Sequence, residues 1–511
     1  MRRSTSNAVA YVTCAVTVSA CAGERRPFTN RMAQSATTYL ARAAGQPVRW
    51  QPWGRDAFGL AARLDRPILL YIGSESCRWC AETDRTIYAD AEIGALVNSY
   101  FVPVRVDRDE RPDVAQRYQS AVEHLAGLHG LPLTVFLTAD GSAFFGGTYF
   151  PADDPVTGRG LKQLLPEIAK SYRDQRPSIE QQAALVRRLV ISGSEGSEGR
   201  GVGAAHGVLG PRLVQEGLAS VRRELDDATR SASGRGSVMH AAAVALLFTG
   251  DSMARVSARN ALELMLDTTA GTVGEDPPQL VRAALATSLA TAWTVTGETR
   301  YRDIGRDVVR ALAEQLPQNE LFADQDAFLI EHVLSASVTF GEVTPANRAR
   351  AALDALLQRT YAHGWGVRHA VGGATTLGLL QDQVQVAAAC LAAQYISEDP
   401  HYLDVALDLA GLVERAYSDS MGGYFDLATT SPSDAASPPL GERTKHVFDD
   451  VLPGPNAQAA LLLARLARVT GDAAYRRRAR ATVEAFAGGI SSAGVRSTTL
   501  LAAAREALQT P

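Results

Sequence analysis

A short acidic turn followed by an amphipathic helix recurs five times in the C-terminal part of the chain, and it restricts the possible folds more than any other feature. The copies are TGDSMARVSARNALELM from residue 249, TGETRYRDIGRDVVRAL from 296, FGEVTPANRARAALDAL from 340, SEDPHYLDVALDLAGLV from 397 and TGDAAYRRRARATVEAF from 470. The acidic side chain of each turn is placed to cap the helix after it, and a more apolar, Ala-rich helix precedes each copy. A hairpin of this kind buries its apolar face only against its neighbours, so the copies must stack. The Ala-rich helices read as an inner layer and the Arg- and Asp-rich helices as an outer one. Five hairpins, a helix over 209–229 and a terminal helix over 497–508 predict an all-α (α/α)6 toroid, closed where the first and last helices pair. An open helical solenoid fits the same spacing.

The N-terminal part is built differently. Ile68 to Ile72 form an apolar run of strand length that stops at Gly73-Ser74, and Cys77-Arg78-Trp79-Cys80 opens a helical pattern directly after it. A dithiol at a strand-to-helix turn sits beside free backbone N–H groups and the positive end of the helix dipole, which favour thiolate over thiol. Arg78 adds a positive charge. A zinc half-site would need a second ligand pair, which the chain lacks, and a structural bridge between residues three apart closes too small a loop to stabilise much. A redox pair is therefore the preferred reading.

Composition sets outer bounds. The 511 residues are 46% hydrophobic and 21% charged, enough for two or three domains with real cores. A net charge of -4 gives no reason to expect nucleic acid as a partner. The five cysteines are Cys14, Cys21, Cys77, Cys80 and Cys390. Residues 1–21 read as a lipoprotein signal peptide: a basic start at Arg2-Arg3, an apolar stretch from Ala8 to Ala20, then the lipobox-like Val18-Ser19-Ala20-Cys21 with Cys21 as the lipidated residue. Ordinary cleavage at Ala20-Cys21-Ala22, releasing a soluble secreted chain, is the other reading. Both place the mature protein outside the cytoplasm, in the periplasm or at the cell exterior, and a lipid on Cys21 would be its sole membrane attachment.

After a tether over 22–46, residues 47–191 follow the order helix, strand, dithiol, helices, strand, helix and Pro132-led strand, which is that of an α/β thioredoxin-like fold. Pro132 cannot donate a ladder hydrogen bond, and the upstream dithiol favours a cis Leu131–Pro132 bond over the commoner trans form. The Asp107-Arg108-Asp109-Glu110-Arg111 cluster reads as a solvated, salt-bridged loop. A Gly/Ser/Glu linker over 192–207 separates this domain from the toroid at 208–511.

The stretches WQPWGRDAF, RPILLYIGSESCRWC, ALVNSYFVPVRVDRDERPDV and HGLPLTVFLTADGSAFFGGTYFP resemble the thioredoxin-like domain of the YyaL-type, spermatogenesis-associated family, long catalogued as a domain of unknown function. The resemblance implies Cys77 and Cys80 as the reactive pair and Pro132 as a cis-proline. Its usual CHWCH pattern is altered here, because Arg78 and Ala81 replace both histidines and Leu131 replaces the Trp before the proline. Tyr71 stands where many thioredoxins carry a buried acid, which leaves the proton-shuttling role unassigned. LQDQVQVAAACLAAQYISEDPHYLDVALDL, MGGYFD and DDVLPGPNAQAALLLARLARVTGD resemble the family's last third, whose arrangement is similar to sugar epimerases and six-hairpin glycosidases. The family's GGGFHRY and HFEKMLYDNA stretches have no counterpart between Thr268 and Ala292.

Cys77, first in the motif, is expected to attack a protein or small-molecule disulfide, and Cys80 to resolve the mixed disulfide; the reverse run oxidises a dithiol. Arg78, Trp79, Leu131 and Pro132 are the expected substrate contacts. No cofactor beyond the Cys77–Cys80 disulfide and no metal is expected, and the reductant or oxidant that resets the pair is undefined. A second function of another class belongs to the toroid: carbohydrate binding or processing at its mouth, with Asp324, Asp382, Asp449 and Asn456 as candidate groups and His240, Asp326 and Asp450 nearby. Against that, Asp before an inner helix commonly serves as its N-cap. Gly364-Trp365-Gly366 with His369 reads as a turn holding a packed aromatic, and Cys390 as a buried, inert thiol.

Overall fold

The computed structural model describes residues 28–509 except 155, 158, 196–206, 232–236, 272–277, 317–321, 371–377 and 430–442. The leader, with Cys14 and Cys21, and most of the Gly/Ser/Glu linker lie outside the described residues. No helix among the described residues is long and apolar enough to cross a membrane.

The chain begins with a short helix α1 (Thr38–Arg42), then β1 (Gln51–Pro52), α2 (Arg55–Leu64), β2 (Ile68–Gly73), α3 (Arg78–Thr86) and α4 (Ala91–Tyr100). It continues with β3 (Val102–Asp107), α5 (Pro112–Ala126), β4 (Leu133–Leu137), β5 (Ala143–Gly147), α6 (Leu161–Asp174) and α7 (Arg176–Glu195). The strands form one sheet in the order β1-β3-β2-β4-β5, with β2 parallel to β3 and antiparallel to β4. This is the thioredoxin-like sheet, with the dithiol strand β2 at its centre.

Every residue of β2 is buried, because helices cover both faces of the sheet. Leu69 and Tyr71 join a core with Tyr39, Trp50, Cys80 and Phe136. Ile68, Leu70 and Ile72 point the other way, into a core with Phe58, Tyr118 and Val135. Neither β1 nor β5 was legible as a strand, β1 being two residues long and β5 rich in glycine. Helix α7 runs on to Glu195, three residues beyond the boundary expected for the linker.

The remaining helices are α8 (Pro211–Arg230), α9 (Val238–Phe248), α10 (Ser252–Gly271), α11 (Gln279–Thr296), α12 (Thr299–Gln315) and α13 (Ala323–Phe340). They are followed by α14 (Val343–Thr360), α15 (Leu380–Ser397), α16 (Pro400–Ala416), α17 (Pro455–Thr470), α18 (Ala473–Ala485), the single turn α19 (Ile490–Ala493) and α20 (Thr498–Leu508). Helices α9, α11, α13, α15, α17 and α20 each pack on the next, and α20 returns to α9. This closes an inner ring of six, so the toroid is realised and the open solenoid is not. The outer ring is α8, α10, α12, α14, α16 and α18, with α8 packing on α20 as the closing pair. Asp251, Asp399 and Asp472 cap α10, α16 and α18 through their carboxylates, as the repeated acidic turn predicts. Glu298 and Glu342 make no such bond at α12 and α14. Glu342 instead binds the guanidinium groups of Arg306 and Arg310 on the preceding outer helix α12.

Candidate functional site

Cys77 is the N-cap of α3, and its Sγ accepts the backbone N–H of Cys80 at 3.1 Å. The two sulfurs are joined as a disulfide. Cys77 is half-buried while Cys80 is fully buried, the asymmetry expected of an attacking and a resolving thiol. The helix that presents them is short and polar outside, and its inward residues are Cys80 and Thr83.

Below the dithiol lies an aromatic and ionic layer that the sequence did not reveal. Arg105 on β3 is wholly buried and forms two 2.6 Å bonds to Asp84 of α3. Its guanidinium also lies 4.3 Å from the centre of the Tyr39 ring and 5.1 Å from that of Tyr71. Two residues further along the same face of β3 is Asp107. Gly73 is its partner in the parallel register, and a Cβ at Gly73 would collide with the Tyr39 hydroxyl and lie 3.0 Å from Cys80 Sγ. Asp107 therefore sits about one strand spacing, ~4.8 Å, from the backbone beneath the resolving sulfur. Burial raises its carboxyl to about 7, with the neighbouring Asp109 charge pushing the same way. This is a buried acid close to the place where Tyr71 left the role vacant, supplied by the neighbouring strand.

The charge cluster after β3 is not a solvated loop. Asp107 is buried, the Arg108–Asp109 and Arg111–Asp113 pairs are largely covered, and the toroid packs against them. His369 makes the join. Its Nδ1 lies 2.8 Å from Asp382 Oδ1 and its Nε2 2.8 Å from the Asp109 carbonyl, across the domain boundary. Both ring nitrogens face acceptors, so both donate and the ring is an imidazolium. Burial opposes that charge, but Asp382, then Asp324 at 3.9 Å, overcome it and raise His369 to about 10. Asp324, His369 and Asp382 are close enough together to hold a metal ion. With both imidazole nitrogens donating, the trio forms a buried ion-pair clasp. Trp365, expected to pack, is 75% exposed instead, while His369 takes the interior position.

The dithiol opens into a 270 Å³ cavity between the domains. Cys77, Ser76, Gly130 and Leu131 contribute one wall, and Asp324, Gln381 and Asp450 of the toroid contribute the other. Of the expected substrate contacts, Leu131 lines this cavity. Pro132 is buried after a cis peptide bond, as anticipated. Arg78 and Trp79 are exposed and do not line it; Trp79 packs instead near Tyr149, with ring centres 6.1 Å apart.

The toroid candidates are held in internal hydrogen bonds. Asp382 Oδ2 accepts the Leu379 N–H at the start of α15, and Asp449 accepts the N–H groups of Gly454 and Thr499. Asn456 pins both the N–H and the carbonyl of Tyr424. Asp324 bonds the N–H of Gln325 beside His369, Asp326 faces Arg359 at 3.6 Å, and His240 bonds its own helix cap Ser237. A separate 440 Å³ cavity within the inner ring is lined by Glu331, His332, Gln458 and Arg465 together with Asp449. Cys390 is buried, and burial pushes its thiol well above the usual range.

Fold and site together define a protein class: a thioredoxin-fold domain whose Cys77–Cys80 edge faces an (α/α)6 toroid. Residues 29–190 match the sequence model of the family described as Thioredox_DsbH, protein of unknown function, DUF255. Spermatogenesis-associated protein 20 of Rattus norvegicus is 36% identical over 170 residues, 33% of this chain and 22% of that protein. Its Mus musculus counterpart is 34% identical over 188 residues, 37% of this chain and 24% of that protein. The matched segment thus spans less than a quarter of these relatives. Among solved structures, an unsaturated glucuronyl hydrolase specific for heparin aligns with 54% of this chain and 84% of its own at 10% identity and a TM-score of 0.42. An inactive α-1,6-mannanase variant from Salegentibacter sp. HEL1_6 aligns with 58% of this chain and 99% of its own at 11% identity and a TM-score of 0.42.

Proposed function

We propose that this protein is a thiol-disulfide oxidoreductase working through Cys77 and Cys80. The observation that carries the reading is the asymmetry of the pair: Cys77 caps a helix at the wall of a cavity, while Cys80 is wholly enclosed behind it. In the reducing direction the Cys77 thiolate, stabilised by the helix terminus, attacks one sulfur of a substrate disulfide and displaces the other as a thiolate. Cys80 then attacks Cys77, forming the internal disulfide and releasing the second substrate thiol. Asp107 takes the Cys80 proton, for which a carboxyl near 7 is well matched at neutral pH. A thiol reductant resets the pair. Export, with a lipid on Cys21, rests on the leader sequence alone.

The test is disulfide exchange by the full chain against a panel of small and protein disulfides. The wild type is expected to turn over at least one of them, and Cys77→Ser to turn over none. Equal rates for the two proteins would remove the reading.

A second reading is favoured by the 440 Å³ cavity within the ring, which has the size and the mixture of apolar and charged lining suited to a small polar ligand such as a sugar. Of the set expected from sequence only Asp449 lines it; Glu331, bound to Arg465 at 3.0 Å and Gln385 at 2.7 Å, occupies the cavity that Asp324, Asp382 and Asn456 do not line. A thermal-shift screen of glycans on wild type and Glu331→Gln tests it, a hit lost in the variant being the supporting result.

A further inference from the structure

We infer that the toroid is the specificity wall of the dithiol site, and that it restricts Cys77 to low-molecular-weight disulfides carrying a hydrogen-bond acceptor, which Gln381 receives. The inference rests on the oxidoreductase reading above and adds the substrate class. Three observations carry it.

The first is the facing wall. In a thioredoxin-like domain the open edge beside the dithiol and the Leu131–Pro132 turn is where an extended substrate backbone would lie. Here that edge looks into a cavity of 270 Å³ whose far wall is the toroid, through Gln381, Asp324, Asp450 and Leu452. That volume is at the small end for a ligand site and suits a small molecule better than a broad protein surface, although the cavity is open to solvent on one side.

The second is an unspent donor. Gln381, on the first turn of α15, is 9% exposed and lines the cavity, yet its Nε2 has no hydrogen-bond partner among the described residues. A buried amide N–H without an acceptor is costly, so a carbonyl or carboxylate on a bound molecule relieves that cost directly. Its sequence neighbours Asp382 and Gln383 are both fully engaged, with His369 and with the Val367 backbone.

The third is that the wall is fixed in place. The His369 clasp ties the same turn of α15 to the Asp109 carbonyl, and Arg496 reaches Glu123 at 3.7 Å on the other side of the cavity. A wall held on both sides is a standing part of the site.

For a small disulfide the electron count closes. The Cys77 thiolate forms one sulfur–sulfur bond as the substrate bond breaks, Cys80 then forms the internal disulfide, and two substrate thiols leave with two electrons from the dithiol. A dithiol such as dithiothreitol returns the pair to its reduced state.

The experiment uses the full chain with dithiothreitol as reductant and three substrates: cystine, which carries carboxylates, diethyl disulfide, which lacks an acceptor, and insulin. Cystine is expected to be the fastest, and Gln381→Leu to raise its KM about 3- to 10-fold, the worth of one hydrogen bond, and by clearly more than it raises the KM for diethyl disulfide. A Cys77→Ser/Cys80→Ser double variant should bind cystine in calorimetry without chemistry, and lose that binding when Gln381→Glu is added. Thermal melting of each variant verifies folding. Insulin reduced as fast as cystine, or cystine binding and KM indifferent to both Gln381 variants, overturns the inference while leaving the oxidoreductase intact. Cystine bound through Gln381 but never exchanged removes the oxidoreductase reading and leaves the binding wall standing.

Discussion

At the scale of single residues, the two sulfurs of α3 differ in what surrounds them, and that difference makes their substitutions separable. Cys80→Ser removes the resolving thiol but leaves the attacking one, so the variant is expected to accumulate a mixed disulfide at Cys77, detectable as a mass adduct on the intact protein. Asp107 gives a pH signature. Its folded pKa of about 7 lies above the ordinary carboxylate value, so the protonated form is favoured on folding. The stability it contributes is present below about pH 4 and is lost as pH rises through 7. Asp107→Asn should therefore flatten part of the decline in urea midpoint between about pH 4 and 7, and slow the Cys80 step at neutral pH by about 10- to 100-fold in stopped-flow exchange. The dithiol was legible because its context of strand, turn and helix is local. Asp107 was not, since a run of five charged residues looks solvated until the toroid is placed against it.

Elements depend on contacts that no single segment announces. Strand β3 alternates as a strand should, but the reason Arg105 is tolerated at its centre is Asp84, 21 positions earlier on α3. Removing the guanidinium leaves Asp84 without its bidentate partner and three aromatic rings around a void. Arg105→Leu is expected to lower stability by about 3 kcal/mol, read as a shift in the urea midpoint with unchanged slope. Gly73 shows the opposite constraint. It ends β2 where Tyr39 and Cys80 close over the backbone, and a methyl group has no room. Gly73→Ala should cost about 1–3 kcal/mol and disturb the dithiol's reactivity towards alkylation more than its distance in sequence suggests. The acidic turns of the toroid were readable as caps, and three of the five bear this out through direct side-chain bonds at α10, α16 and α18. Glu342 at α14 was redirected by Arg306 and Arg310 of a neighbouring helix, a contact that only the ring creates.

Across the whole molecule, one imidazolium joins the two domains at the wall of the cavity. His369 keeps its proton up to about pH 10, so its contribution is complete below about 6.5 and disappears as pH rises through 10. His369→Gln leaves two carboxylates buried without a cation and is expected to destabilise the chain by about 3 kcal/mol at pH 7. The difference from wild type should shrink above pH 10, as measured by urea midpoints across that range. Equal midpoints at pH 7 would show that the clasp contributes nothing. His369 had been assigned to a turn beside a packed Trp365. The structure reverses the two, leaving the indole in solvent and enclosing the imidazole, because only the imidazole can satisfy acceptors from both domains.

Periodicity and local chemistry in the sequence determined the two folds and the position of the dithiol, since each depends on spacing that an apolar or helical pattern records directly. That spacing fitted a closed ring and an open solenoid equally, and only the packing of α20 on α9 and α8 closed it. Tertiary structure alone decided which acid stands near Cys80, which carboxylates are spent on caps and ion pairs, and that the toroid faces the dithiol. Those outcomes depend on which surfaces meet. The free energy of a buried charge or amide is set by the groups brought around it, often hundreds of residues away, and a linear pattern carries no record of them.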